Sequence, residues 1–163
     1  MALPQENYLE PTGFKIVLNR EHYRQTEYFI TSVSHPSVTL PSVEVPFRSI
    51  NTQQPGDRLQ FSEVTFNMIL DENLNNYIEM YDILKETVQT ADLYRHNRQV
   101  TERPLDMDIR LITLSSKNNA NREIIYYDTR LTSIGDIEFE ATRADVQYIT
   151  VPLSFEFNYF EIK

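Results

Sequence analysis

The stretch Leu131-Thr-Ser-Ile-Gly-Asp-Ile-Glu-Phe-Glu-Ala-Thr-Arg-Ala-Asp-Val-Gln-Tyr-Ile-Thr-Val-Pro-Leu-Ser-Phe-Glu-Phe-Asn-Tyr-Phe160 decides the fold class. It reads as a turn, a strand, a polar turn and a second, longer strand. Ile137 and Phe139 alternate against Asp136, Glu138 and Glu140. Ile149, Val151, Leu153, Phe155 and Phe157 then alternate against Thr150, Ser154, Glu156 and Asn158. Successive side chains of a strand point to opposite faces, so a period of two buries one face and leaves the other polar. A sheet covered on one side only is an antiparallel one.

Working outward, residues 63–70 repeat the pattern, with Val64, Phe66, Met68 and Leu70 against Thr65 and Asn67. Asp71 follows as a helix cap with Glu72 in the first turn, and a helix is expected over about 71–90. Its apolar stripe is Leu74, Tyr77, Ile78, Tyr81, Leu84 and Val88, opposed by Asn75, Asn76, Glu79, Asp82 and Glu86. Segments 14–18 and 27–33 read as strands forming a first hairpin, and 92–103 as a charged loop. Met107, Ile109 and Leu111 mark another strand; Ser115 to Asn121 is a polar turn, and 123–131 pairs back from it. Pro36, Pro41, Pro46 and Pro55 interrupt the segment 36–62, interleaved with Val38, Leu40, Val43 and Val45. Proline removes ladder donors, so this segment is an edge strand or an extended arm running into a loop, Asn51 to Asp57, with Pro55-Gly56-Asp57 as a turn signal. The expected fold is mainly β: two packed antiparallel sheets, as a β-sandwich or barrel, with one flanking α-helix and a long extended arm.

Composition bounds the function. A chain of 163 residues fits one domain, 1–163, with about 1–13 as an N-terminal arm. Ten Tyr, nine Phe and only three Gly belong to a packed chain, since disordered chains are poor in aromatics. The formal net charge of -9 disfavours sustained nucleic-acid binding, which is driven by cations that release counterions from phosphates. Absence of Cys removes disulfides, thiolate zinc sites and thiol nucleophiles, and suits assembly in a reducing cytoplasm. The opening Met-Ala-Leu-Pro-Gln-Glu-Asn has no basic or apolar signal region, and no apolar run approaches a membrane span.

Three blocks carry a resemblance: the strand and Pro-rich arm from Val33 to Phe47; the run Pro55-Gly-Asp-Arg-Leu-Gln-Phe-Ser-Glu-Val-Thr-Phe-Asn-Met-Ile-Leu-Asp71 into the helix; and the C-terminal hairpin with Ile134-Gly135-Asp136 ahead of it. In order and position they resemble the tail tube proteins of contractile-tailed bacteriophages, a superfamily shared with type VI secretion tubes and baseplate tube initiators. The ending Asn-Tyr-Phe-Glu departs from that family's usual tryptophan-containing one. The resemblance implies hexameric rings stacked around a channel through which DNA passes at ejection, without enzymatic activity or cofactor. It implies as partners other copies of the chain, the tail sheath, the baseplate hub and the tape-measure protein. The location implied is the virion tail, assembled in the host cytoplasm. A loop reaching the adjacent ring corresponds to about 44–62, with Val45, Phe47, Arg48, Pro55, Gly56, Asp57 and Arg58 as inter-subunit residues. Glu138, Glu140 and Glu156 are candidates for the channel face, where like charge repels DNA. A baseplate initiator, a tail terminator and a small β-barrel binding module are the alternatives.

Residue by residue, no chemistry competes. His22, His35 and His96 are scattered over turn, arm and loop without metal-ligand spacing, and read as ordinary polar histidines. The pairs Asp106/Asp108 and Glu138/Glu140 are spaced for a shared strand face, solvated unless a second group raises one pKa. Arg48 and Arg58 are either inter-subunit salt-bridge partners or free surface charges. No nucleophile elbow or Gly-rich phosphate loop is present.

Overall fold

A computed structural model describes residues 9–18, 26–88, 107–140 and 148–163. The expected loop at 92–103 and residues 89 and 90 of the expected helix lie outside them. The elements are β1 (Phe14–Val17), α1 (Thr26–Phe29), β2 (Ile30–Ser34), β3 (Val38–Thr39), β4 (Ser42–Phe47), β5 (Ile50–Pro55), β6 (Gln60–Phe61), β7 (Val64–Ile69), α2 (Asn75–Val88), β8 (Met107–Leu114), β9 (Ala120–Ile134), β10 (Thr150–Glu156) and β11 (Tyr159–Ile162). Every strand pairing among the described residues is antiparallel.

Two layers share one strand. β1, β8, the first part of β9 and β11 form one layer; the end of β9, β10, β7 and β2 form the other. The 15-residue β9 changes layer at a bulge, where Asp128 takes a left-handed φ of 54° and the register against β8 shifts between Met107 and Ile109. Extra twist at a bulge is how a strand turns a corner between sheets. The Asp128 amide donates to the Asp108 carboxylate at 3.3 Å, and the Asn158 side-chain amide donates to the Asp128 carboxylate at 2.9 Å. Those bonds hold the corner, and at Phe157–Asn158 the chain crosses beside it from β10 to β11.

The core lies between the layers. Val64, Phe66 and Met68 of β7 lie beside their cross-strand partners Phe155, Leu153 and Val151 of β10 on the inner face of one layer, and Ile109, Tyr126, Leu131 and Met80 of α2 complete the core. Phe66 and Phe155 meet edge to face at 5.3 Å. The alternation read in β7, β8 and β10 is the alternation found.

Other expectations are corrected. Segments 14–18 and 27–33 do not pair with each other: β1 joins β8 and β2 joins β7, in different layers, and 26–29 is a helical turn. The expected strand at 136–140 is irregular extended chain, because β10 pairs instead with the end of β9, and Phe139 is 76% exposed rather than core. Gly135 makes a close contact just past the last paired residue. Its amide bonds the Pro152 carbonyl at 2.7 Å, and an added Cβ would lie 2.4 Å from Pro152 Cγ.

The helix is rotated from its expected phase. Asn76 and Met80 are fully buried, while Ile78 and Tyr81 are half exposed. Asn76 faces inward because its side-chain amide donates to the Ile69 carbonyl at 2.7 Å and its oxygen accepts the Asp71 amide at 3.2 Å, satisfying the strand-to-helix corner. The helix begins only at Asn75, so Asp71 lies ahead of the cap, its carboxylate accepting the Asn75 side-chain amide at 3.1 Å. The first turn opens from Leu74, whose φ of 56° costs roughly 1–2 kcal/mol and whose carbonyl accepts the Ile78 amide at 2.9 Å.

Candidate functional site

The segment expected to be an arm is a β-hairpin standing off the core. Residues 51–55, read as part of a loop, are strand β5, and the turn is Arg48–Ser49 instead. Each strand of a lone hairpin is an edge, where proline is tolerated, so Pro46 and Pro55 fit within it. β4 and β5 pair over Ser42↔Pro55 to Phe47↔Ile50, and all twelve residues are exposed.

Cross-strand partners share a face, so the register sorts the side chains. One face carries Val43, Val45 and Phe47 with Ile50, Thr52 and Gln54; the other carries Ser42, Glu44 and Pro46 with Asn51, Gln53 and Pro55. The second face satisfies itself: Ser42 donates to Gln53 at 3.0 Å, Asn51 to Glu44 at 3.3 Å and Gln53 to Glu44 at 3.4 Å. The apolar side chains of the first face are open to solvent, Val43, Phe47 and Ile50 being 60%, 59% and 64% exposed. At the tip, Arg48 holds a φ of 55° and sets its guanidinium 5.7 Å from the Phe47 ring centre. A two-stranded hairpin is marginal in water without a covered face.

An aromatic root fixes the arm to the body. β3 and β6 pair through Val38↔Phe61, and Ser37 and Ser62 exchange bonds of 2.8 and 3.1 Å. Phe61 packs 5.6 Å from both Phe157 and Phe160, and His35 meets Phe160 edge to face at 5.0 Å. His35 Nδ1 shares a 2.7 Å hydrogen bond with the hydroxyl of the fully buried Tyr126. Burial pushes the Tyr126 hydroxyl pKa up and the His35 pKa down, so both are neutral near pH 7. Further out, the Gly56 amide bonds the Pro41 carbonyl at 2.7 Å, and a Cβ on Gly56 would come within 2.6 Å of that oxygen. Glycine lets the hairpin close at its base.

Of the expected inter-subunit residues, Val45 and Phe47 lie on the apolar face, Arg48 at the tip and Pro55 on the polar face. Gly56 is at the base, and Asp57 and Arg58 form the bend beyond it. Val43 was seen in the sequence as part of the apolar series; Ile50 was missed, although its pairing with Phe47 follows once the turn is put at 48–49. Tyr126 and His35 as a root carried no local signal, being 91 residues apart.

The candidate channel carboxylates lie on two segments. Glu138 and Glu140 are exposed on the irregular segment after Gly135, whereas Glu156 ends β10 opposite Arg130. Glu156 borders a cleft of about 210 Å³ with Glu63, Asp128, Asn158, Phe61 and Phe157. Among the described residues no group of His, Asp and Glu is placed to hold a metal, and no helix is long and apolar enough to cross a membrane.

No protein-family model matches the sequence, and no curated protein matches it. Solved structures do match the fold. A chain of the anti-feeding prophage tube-terminating cap superposes with a TM-score of 0.69 at 13% identity, over 100% of this chain and 95% of that one. A chain of the sheath–tube complex of PVC, an extracellular contractile injection system in its extended state, gives 0.66 at 13% identity, over 98% and 93%. Hcp1 from Salmonella typhimurium gives 0.51 at 9% identity, over 92% and 85%. The chain has the fold of these tube and cap chains, as the resemblance implied. Within that fold, the matches include tube-terminator and baseplate structures of contractile injection systems as well as tubes.

Proposed function

We propose that the chain is a non-enzymatic structural subunit of a contractile tail tube, assembling without cofactor into hexameric rings that stack around a channel. The observation that carries this is the hairpin β4–β5: an amphipathic arm, exposed at every residue, on a body with the tube fold. An isolated apolar face of this kind costs solubility and gains nothing unless a partner covers it. The arm, within the reach 44–62, contacts the adjacent ring. The sheath, the baseplate hub and the tape-measure protein are the further partners, the virion tail is the location after assembly in the host cytoplasm, and DNA passes at ejection without specific binding. Glu138, Glu140 and Glu156 contribute negative charge toward the passing DNA.

A second reading, a tube terminator or baseplate initiator ring, is favoured by the likeness to the cap and baseplate structures. Negative-stain microscopy of the purified protein separates the readings. Tubes of many rings support the repeating subunit; single or double rings at every concentration support the terminator or initiator. Uniform small particles contradict both and leave a β-barrel binding module.

A further inference from the structure

Stacked growth constrains what the arm touches. If the apolar faces of two arms paired with each other, the contact would be isologous and each pair would close on itself. A stack that continues needs a head-to-tail contact, so the receptor for the arm is a different patch on the same chain. It must be exposed and apolar, and carried on an element rigid enough to hold a fixed contact.

Among the described residues the large exposed hydrophobics outside the arm and its root fall in few places; Leu9 and Ile162, 67% and 60% exposed, lie near the two ends of the chain. Tyr159 is already stacked on Tyr127 at 4.6 Å, with the Tyr127 hydroxyl bonded to Glu161. Phe139 and Tyr148 are separate exposed residues on either side of 141–147, on irregular chain. The outer face of α2 is different. Ile78 and Tyr81 are 50% and 51% exposed at i, i+3 spacing on a rigid element anchored from beneath by Asn76 and Met80. Asp82 stands one turn after Ile78 on the same stripe and is exposed, and Lys85 lies 5.9 Å from the Tyr81 ring centre. The rotation of the helix leaves these apolar residues outside.

We infer that the outer face of α2, Ile78 and Tyr81 with Asp82, is the seat for the apolar face of the β4–β5 arm of a second copy of this chain, with Arg48 of the arm against Asp82. Val43, Val45, Phe47 and Ile50 supply the apolar half, and the tip supplies a cation for the carboxylate. The inference rests on the proposed tube function and names the partner surface that function requires. Two unlike patches joined in this way extend without limit in one direction and leave an unfilled arm at one end of the stack and an unfilled helix face at the other.

The chain has no cysteine, which makes the test clean. Val45→Cys and Ile78→Cys are placed in one chain, tubes are assembled and mildly oxidised, and the products are run under denaturing, non-reducing conditions. A ladder of disulfide-linked dimers, trimers and longer oligomers is expected from the double variant only. Tubes that form but yield monomers overturn the helix seat and leave the tube function standing, as does efficient dimerisation of the Val45→Cys single variant. A parent chain that never assembles overturns the tube function, and this inference with it. The charge pair gives a second readout. Arg48→Glu raises the concentration needed for assembly about tenfold or more, and Asp82→Lys added to it restores most of the loss; no restoration overturns the pairing.

Discussion

Replacing Phe47 and Ile50 together with serine removes the apolar end of the arm while leaving the body untouched. The two side chains are cross-strand partners, still 59% and 64% exposed. Full burial of such a side chain stabilises by about 1.5–3 kcal/mol, so covering the exposed remainder contributes about 1–2 kcal/mol each. The pair is worth roughly 2–4 kcal/mol per arm, or about 30- to 1,000-fold in the strength of one arm contact. Because neither residue touches the core, the monomer's unfolding free energy should change by no more than about 0.5 kcal/mol. Sedimentation of assembled material against concentration, alongside urea unfolding of the monomer, reads both quantities. A double variant that pellets at the parent's concentration refutes the interface. One that unfolds several kcal/mol earlier refutes the claim that the arm is energetically separate.

Excising the whole hairpin, Ser42 to Pro55, joins Pro41 to Gly56, residues already bonded at 2.7 Å; a folded subunit that no longer stacks is expected by circular dichroism and microscopy, and stacking at parental length contradicts it. Gly135→Ala forces a Cβ into the Pro152 ring and should cost about 1–3 kcal/mol in urea unfolding; an unchanged midpoint means that the β9–β10 edge yields. For His35 the folded pKa lies below its unfolded value near 6.5, so the unfolded state binds the proton more readily and stability falls as pH drops below about 6.5. Comparing melting of the parent and His35→Asn from pH 8 to 5 should show a difference that shrinks on acidification within that window, and a pH-independent difference removes the titration. Changing Glu138, Glu140 and Glu156 to Lys should slow DNA ejection, with the defect easing as salt is raised; unchanged ejection at low salt removes their channel role.

Where one physical cause acts, the sequence is readable. β7 and β10 keep their period of two because each lies between a core and a polar surface, and Val64, Phe66, Met68, Val151, Leu153 and Phe155 are all buried as read. The helix was read in the wrong phase because two causes compete there. Asn76 is pulled inward by the orphan groups of a tight corner, and Ile78 and Tyr81 stay outside although they are apolar. Hydrophobicity alone cannot distinguish a side chain kept for the core from one kept for a neighbouring molecule. Likewise the arm's prolines signalled a departure from the sheet, but that β4 and β5 pair with each other follows from the Arg48 turn, which lacks the glycine or asparagine that marks such turns. The strand expected at 136–140 was misplaced because β10 pairs with the end of β9, whose bulge at Asp128 shows no period of its own.

A helical reconstruction of the assembled protein by cryo-electron microscopy tests the central claim most directly. Density for stacked rings, with residues 42–55 of each subunit lying against a subunit of the adjacent ring, is the result expected. Rings whose arms project into solvent, or a protein that stays monomeric at every concentration, would contradict it.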